Sequence, residues 1–386
     1  MDAVVEAEPA LAQSPSPFGE RPRLVFWETT RACGLACRHC RAEAQSLPLP
    51  GELDTREAGK LLEDIRDFGS PAPVVVFTGG DPLMREDLWL LLDYAAFFRL
   101  PAAVSPAVTP RLSPHTLTRL SEYGVHAVSI SIDADEAAHD QLRGIPGTHA
   151  ASVAALRAGR AAGLQMQVNT VVMRDTVADL PKVAAMLLRE GVHTWEVFFL
   201  VPTGRALASQ QLAPAEIQDV CLFLLDAADY GLTVRTVEGP FIRRFQAERR
   251  AGTAAGGPLY RRLRDALEEL AGVQPARLQP GRAVAPRGTL DGDGILFVAY
   301  DGRIMPGGLM PLPLGNVRQD SLVDVYRSNA LLRDIRARRL HDACGRCDWR
   351  QVCGGSRARS FAATGDPLGS DPACAMAAEG LRRPPA

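Results

Sequence analysis

Cys33, Cys37 and Cys40 stand within eight residues of one another in the stretch WETTRACGLACRHCRAEA (27–44), with the spacing C-x3-C-x2-C. Three thiols this close share a metal centre or are a coincidence. A structural zinc ion takes four ligands in a closed tetrahedron. His39 is the available fourth, but a residue squeezed between Cys37 and Cys40 usually points elsewhere. A cubane [4Fe–4S] cluster has four irons, and thiolates from one short loop wrap three of its corners. Its fourth iron then stays open to an outside ligand, and an open coordination position marks a catalytic metal site more than a structural one.

A second group lies near the other end of the chain. Cys344, Cys347 and Cys353 form C-x2-C-x5-C, and Cys374 follows. Four thiolates satisfy a zinc ion or a closed [4Fe–4S] cluster equally, so both readings stay open on spacing alone. Cys221, in VCLFLLDAA on an apolar helix face, reads as a small buried hydrophobe. Arg38 and Arg41 flank the first group, either offsetting the charge of a thiolate-ligated cluster or lying solvated on the surface.

The chain of 386 residues has room for two or three domains. Its net charge of −2 leaves no electrostatic footprint for nucleic acid or an anionic membrane. No apolar run approaches the ~18–20 residues that span a bilayer. The start, MDAVVEAEPALAQSPSPFGE, lacks the basic and apolar segments of an export signal. A cytoplasmic location is therefore expected, where clustered cysteines bind metals rather than form disulfides.

From Arg23 to about Val237, short β-rich runs alternate with segments of helical period. Strands are expected at 23–28, 73–79, 102–107, 126–132, 165–172 and 194–200, and helices at 54–68, 85–98, 113–122, 148–162, 179–190 and 214–229. Six βα units in series predict an α/β fold, a partial (β/α)6 TIM-like barrel, with an open doubly wound sheet as the alternative. Either fold gathers function at the C-terminal ends of its strands. The first cysteine group follows the first strand directly. The expected organisation is a mobile arm at 1–22, the barrel at 23–250, a Gly/Pro-rich linker with one helix at 251–285, and a small α+β domain at 286–386. That last domain opens on a hairpin turning at Asp301-Gly302 and carries the second cysteine group on short helices and loops.

With the cysteines placed, the chain resembles the radical S-adenosylmethionine (SAM) superfamily. TGGDPL (78–83) is similar to the superfamily's Gly-Gly-Glu-Pro motif after the second strand, with Asp81 in place of the usual Glu. The resemblance implies that Gly79, Gly80 and Asp81 hold the amino group of SAM. It also places Ser131 of SISID, Arg143 of HDQLRG and Asn169 of VNT on SAM's ribose and carboxylate, and FFLVPTGRA (198–206) along its adenine. The second cysteine group resembles the auxiliary-cluster module called SPASM, or its shorter twitch form. The hairpin segment IMPGGLMPLPLGNVR lacks the cysteine of full modules, so one auxiliary [4Fe–4S] cluster is expected. CGGSRARSFAATGDPLGSDPAC and LGNVRQDSLVDVYR look most like the branch of haem-synthesis enzymes, which act on tetrapyrrole propionates.

By this resemblance SAM chelates the open iron, and the reduced cluster cleaves it to methionine and a 5′-deoxyadenosyl radical. That radical takes hydrogen from a substrate C–H bond, and the auxiliary cluster accepts the substrate's electron. No catalytic side chain beyond the cluster ligands is singled out. Tetrapyrrole side-chain decarboxylation is the leading expectation. The alternative is a peptide maturase that decarboxylates a peptide or forms a C–C or C–S bond. A low-potential reductant such as flavodoxin or ferredoxin is the implied partner. A reading of a different class, an iron–sulfur electron carrier or sensor, predicts two four-cysteine sites, which the missing fourth ligand opposes. A zinc-stabilised binding module leaves TGGDPL and SISID without a role.

Overall fold

In the computed structural model, which describes residues 16–272 and 288–378, seven parallel strands follow one another in chain order. They are β1 (Leu24–Glu28), β2 (Val74–Thr78), β3 (Ala102–Val104), β4 (Val125–Ser131), β5 (Gln165–Val172), β6 (Thr194–Phe199) and β7 (Thr233–Val237). Sequence neighbours are also sheet neighbours from β1 to β7. Every crossover therefore steps the same way round. A doubly wound sheet would reverse direction at an interior strand, whereas this winding curls the sheet toward a barrel.

All six expected strands form. The expected helices form too, the first at Thr55–Arg66 with a complete capping box between Asp54 and Glu57. Elements of this half that were not expected include β7, a short strand with polar residues, and the helices Glu136–Arg143 and Ile242–Arg250.

Alternation along the strands explains the two faces of the sheet. Val25, Trp27, Val75, Phe77, Val128, Ile130, Val168, Trp195 and Val197 are buried with the leucines of the helical layer. The intervening positions on β4 to β6 include Ser129, Ser131, Gln167, Asn169 and Glu196. The barrel's inner face carries these polar side chains there.

The C-terminal part adds β8 (Leu290–Asp291), β9 (Gly294–Val298), β10 (Arg303–Met305) and β11 (Gly315–Asn316). β9 and β10 form the expected hairpin. β9 also pairs in parallel with β1, from Leu24↔Ile295 to Trp27↔Val298, on the edge opposite β2. The hairpin therefore continues the barrel sheet, whose path runs from β11 to β7 and is not closed. The expected boundary at 286 falls outside the described residues. The helix Pro258–Ala271, expected in the linker, packs on the helices 180–190 and 214–229. Residues 16–22 of the expected arm are tied down: Tyr326 Oη donates to the Phe18 carbonyl at 2.6 Å and Arg327 Nε to that of Glu20 at 2.9 Å. Among the described residues no helix is long and apolar enough to cross a membrane.

Leu296 is fully buried on β9. We expect Leu296→Ala to cost ~2–5 kcal/mol of stability in denaturant unfolding, while Leu47→Ala, at an exposed site, changes it by less than ~0.5 kcal/mol.

Candidate metal centres

The loop that leaves β1 carries the first three cysteines, and it is held by itself and by three other parts of the barrel rim. Cys33 N–H donates to the Gln45 carbonyl at 2.7 Å, closing the loop on itself. From the end of β2, the Gly80 and Asp81 N–H groups donate to the carbonyls of Thr30 and Ala32, each at 2.7 Å. A Cβ on Gly80 would come within 2.3 Å of the Ala32 carbonyl oxygen, so only glycine permits this approach. From beyond β4, the Leu142 carbonyl accepts Arg38 N–H at 3.0 Å, and from beyond β6, Arg205 N–H donates to the Cys40 carbonyl at 3.0 Å.

These contacts bring the three thiols together. Cys33 and Cys37 are buried with Leu35 and Ala44, and Cys40 and Ala107 pack against them. Burial pushes the Cys33 thiol up to about 11, with Asp81 and the other two cysteines adding to it against the Leu35 N–H, which stabilises the thiolate. Such a set ionises readily only around a strongly cationic group. Among the described residues no three His, Cys, Asp or Glu side chains crowd round a single point as one ion would require. The donor chemistry of three neighbouring thiols fits a cluster. Of the two flanking arginines, Arg38 is exposed. Arg41 points inward, 3.3 Å from Glu28 and 4.7 Å above the Phe297 ring.

Arg143, from the helix after β4, reaches the same loop. Its Nη1 lies 3.7 Å from Cys37 Sγ, while its Nε donates to Asp133 Oδ2 at 3.0 Å. Asp133, fully buried at the end of the SISID segment, also accepts Val171 N–H at 3.0 Å. Burial alone would push its carboxyl up, but Arg143, with His39 and His139 beside it, reverses this and holds it at about 2. His39 is no fourth thiol partner: its Nε2 faces Asp133 at 3.9 Å, and burial lowers its pKa to about 4. Sequence reasoning passed over Asp133, although it lies inside a quoted motif.

The remaining SAM-side candidates divide. Ser131 and Asn169 are paired neighbours on β4 and β5. The row continues to Glu196 on β6 and Arg235 on β7. Gln167 Nε2 bridges Asn169 Oδ1 at 2.8 Å and Glu196 Oε2 at 2.9 Å, and burial raises the Glu196 carboxyl. Asp81, by contrast, is occupied: its Oδ1 accepts from Leu83 and Ala107 N–H, and Thr109 Oγ1 lies 3.4 Å from Oδ2. Glu196 and Gln167 carry no motif; their only sequence signal is a polar residue on the inner face of a strand.

The second group assembles beyond the C-terminal end of β7. Burial pushes the Cys353 thiol up to about 12, with Cys374 and Cys344 close enough to contribute. Gly355 N–H donates to Cys353 Sγ at 3.4 Å, and Arg357 Nη2 lies 3.8 Å from Cys344 Sγ. Fully buried Asp371 organises the loop, accepting Ser356 N–H at 2.7 Å and the Arg359 guanidinium at 2.9 Å. Cys221 is buried in the helix 214–229.

Residues 27–187 match the model of the radical SAM superfamily, and residues 291–348 that of an iron–sulfur cluster-binding domain, SPASM. The chain is 36% identical over 358 residues to the AdoMet-dependent heme synthase of Nitratidesulfovibrio vulgaris, covering 91% of this chain and 92% of that one. It is 31% identical to the mycofactocin maturase MftC of Mycobacterium ulcerans, covering 92% and 88%. Streptococcus suis SuiB bound to its precursor peptide SuiA shares the fold at a TM-score of 0.64 and 14% identity, over 92% of this chain and 76% of that one.

For Gly80→Ala we expect displacement of the first cysteine loop and a loss of about half the iron taken up on anaerobic reconstitution, since one of two cubanes goes. Iron and sulfide analysis beside a circular dichroism spectrum checks it. The chain with these features belongs to the radical SAM superfamily and binds one [4Fe–4S] cluster that SAM completes and an auxiliary cluster in its SPASM domain.

Proposed function

We propose that this radical SAM enzyme acts on a tetrapyrrole, oxidatively decarboxylating a propionate side chain. The observation that carries the reading is the match, over nearly the full length of both chains, to an AdoMet-dependent heme synthase. A site with three thiols and a second with four, both at the C-terminal end of one barrel, suits an oxidation in which an electron must leave the substrate. When bound and reduced, the first cluster supplies the electron that cleaves SAM and so generates the hydrogen-abstracting radical.

The chain's own residues do the positioning. The backbone at Gly79, Gly80 and Asp81 presents the rim on which SAM's amino group is held. Ser131 and Asn169, side by side on β4 and β5, reach the ribose. Arg143, held by Asp133 through both Nε and Nη2, directs Nη1 to the Cys37 sulfur and carries the positive charge that SAM's carboxylate faces. The polar inner face orients the substrate and its departing carboxylate, an orientation task that sets how close the target carbon comes to the radical. A low-potential carrier such as flavodoxin or ferredoxin delivers the first electron.

A peptide substrate is the second reading, and it is favoured by the likeness to mycofactocin maturase. The test is anaerobic incubation of the reconstituted enzyme with SAM, dithionite and a propionate-bearing iron tetrapyrrole. We expect 5′-deoxyadenosine and a product lighter by CO2 and two hydrogens per side chain. Cys37→Ala should abolish both, whereas Cys347→Ala should retain SAM cleavage but lose product. SAM cleavage without any tetrapyrrole product, under conditions where a peptide C-terminus is consumed, would transfer the assignment to the second reading.

A further inference from the structure

Two acidic side chains that no motif marks are buried together between the two cysteine groups. Glu238 directly follows the C-terminal end of β7, and Asp291 ends β8; both are about nineteen-twentieths buried, at 6% exposure. Their carboxyl groups lie against each other. Two carboxylates have no hydrogen to share, so the contact is attractive only if one of them carries a proton. The backbone supports a special role for Glu238, which sits in the left-handed region at φ 55, unusual for a buried non-glycine residue.

Among the described residues, the arginines near the pair each have another partner. Arg41 faces Asp291 but is ion-paired to Glu28 at 3.3 Å. Arg359 is held by Asp371 at 2.9 Å and touches only the Glu238 backbone carbonyl, at 2.8 Å. Arg357 is spent on the Gly369 carbonyl and the Cys344 sulfur. Ser356 Oγ donates to Glu238 Oε2, while Asp291 Oδ2, buried, finds no hydrogen-bond partner among the described residues. Gly307 makes room for this carboxyl: a Cβ there would fall 1.9 Å from Asp291 Cγ.

Neighbours of the pair lead toward both centres. On one side Arg41 follows Cys40. On the other, Ser356 follows Gly355, whose N–H donates to Cys353 Sγ. We propose that Glu238 and Asp291 form a one-proton carboxyl pair that takes up a second proton when the auxiliary cluster gains its electron, making reduction of that cluster proton-coupled. The electron comes from the substrate radical, which is oxidised as it loses CO2, and the proton from solvent, where one O–H bond breaks as the carboxyl O–H bond forms. An added negative charge in a buried site is otherwise costly, and the pair is a buried group with room for a proton. Both residues act through the cluster and are positioning residues.

The inference rests on the reading that Cys344, Cys347, Cys353 and Cys374 hold a cluster, and the test separates the two. The reconstituted full-length protein is titrated potentiometrically across the neutral range, following the auxiliary electron paramagnetic resonance signal, identified as the one that persists in Cys37→Ala. The potential should fall as pH rises, approaching about 59 mV per tenfold change in proton concentration at full coupling. The slope should be lost in Glu238→Gln and in Asp291→Asn. Infrared difference spectra of the wild-type protein should show a protonated carboxyl stretch that changes on reduction, a readout that stands even if a variant fails to fold. A pH-independent potential, a slope unchanged in both variants, or no carboxyl band change overturns the proposal. Absence of any signal in Cys37→Ala overturns the cluster reading instead.

Discussion

The close approach of two backbones at the barrel rim is the constraint on which the rest depends. A loop carrying three buried thiols has no regular structure of its own to hold it. Here the Gly79-Gly80 turn presses against Thr30 and Ala32 and supplies two N–H groups to their carbonyls. Because β1 and β2 are paired in register up to Glu28↔Thr78, the turn and the loop leave the sheet at the same height. The motif therefore does two things at once: it fixes the cysteines and it leaves a backbone surface beside them. The Asp81 carboxylate, expected from its motif to face SAM, instead ties this turn to the loop after β3.

Electrostatics gives the two cysteine groups a common plan. Each has one arginine against one sulfur, Arg143 on Cys37 at 3.7 Å and Arg357 on Cys344 at 3.8 Å. Each arginine is fixed from behind, the first by the Asp133 carboxylate and the second by backbone carbonyls. Fixed charge beside cluster sulfurs is one of the protein's levers on reduction potential. The groups differ in number of thiols and in surroundings. The first is walled by loops from the barrel rim. The second sits in a shell of buried arginine and aspartate joined to the end of β7 through Glu238.

Much of this was readable from the chain, for identifiable reasons. Long runs such as QMQVNTVV and helices with complete caps announce themselves locally. The cysteine spacings and TGGDPL are local too. What escaped depends on contacts far apart in sequence. That β9 lies beside β1 follows from pairing across some 270 residues, which no local pattern encodes. β7 is five residues of TVRTV, too short and too polar to stand out. Glu196, Asp133, Glu238 and Asp291 are ordinary acidic residues until the fold buries them, and burial is what gives each its chemistry.

The central distinction is that one cluster is open and the other closed. Its most direct test is electron paramagnetic resonance of the reduced, fully reconstituted enzyme before and after SAM is added. Only one of two [4Fe–4S] signals should change, and it should be the signal that is missing from a Cys33, Cys37, Cys40→Ala triple variant. A shift in both signals, in neither, or in the one that survives the triple variant would contradict the account.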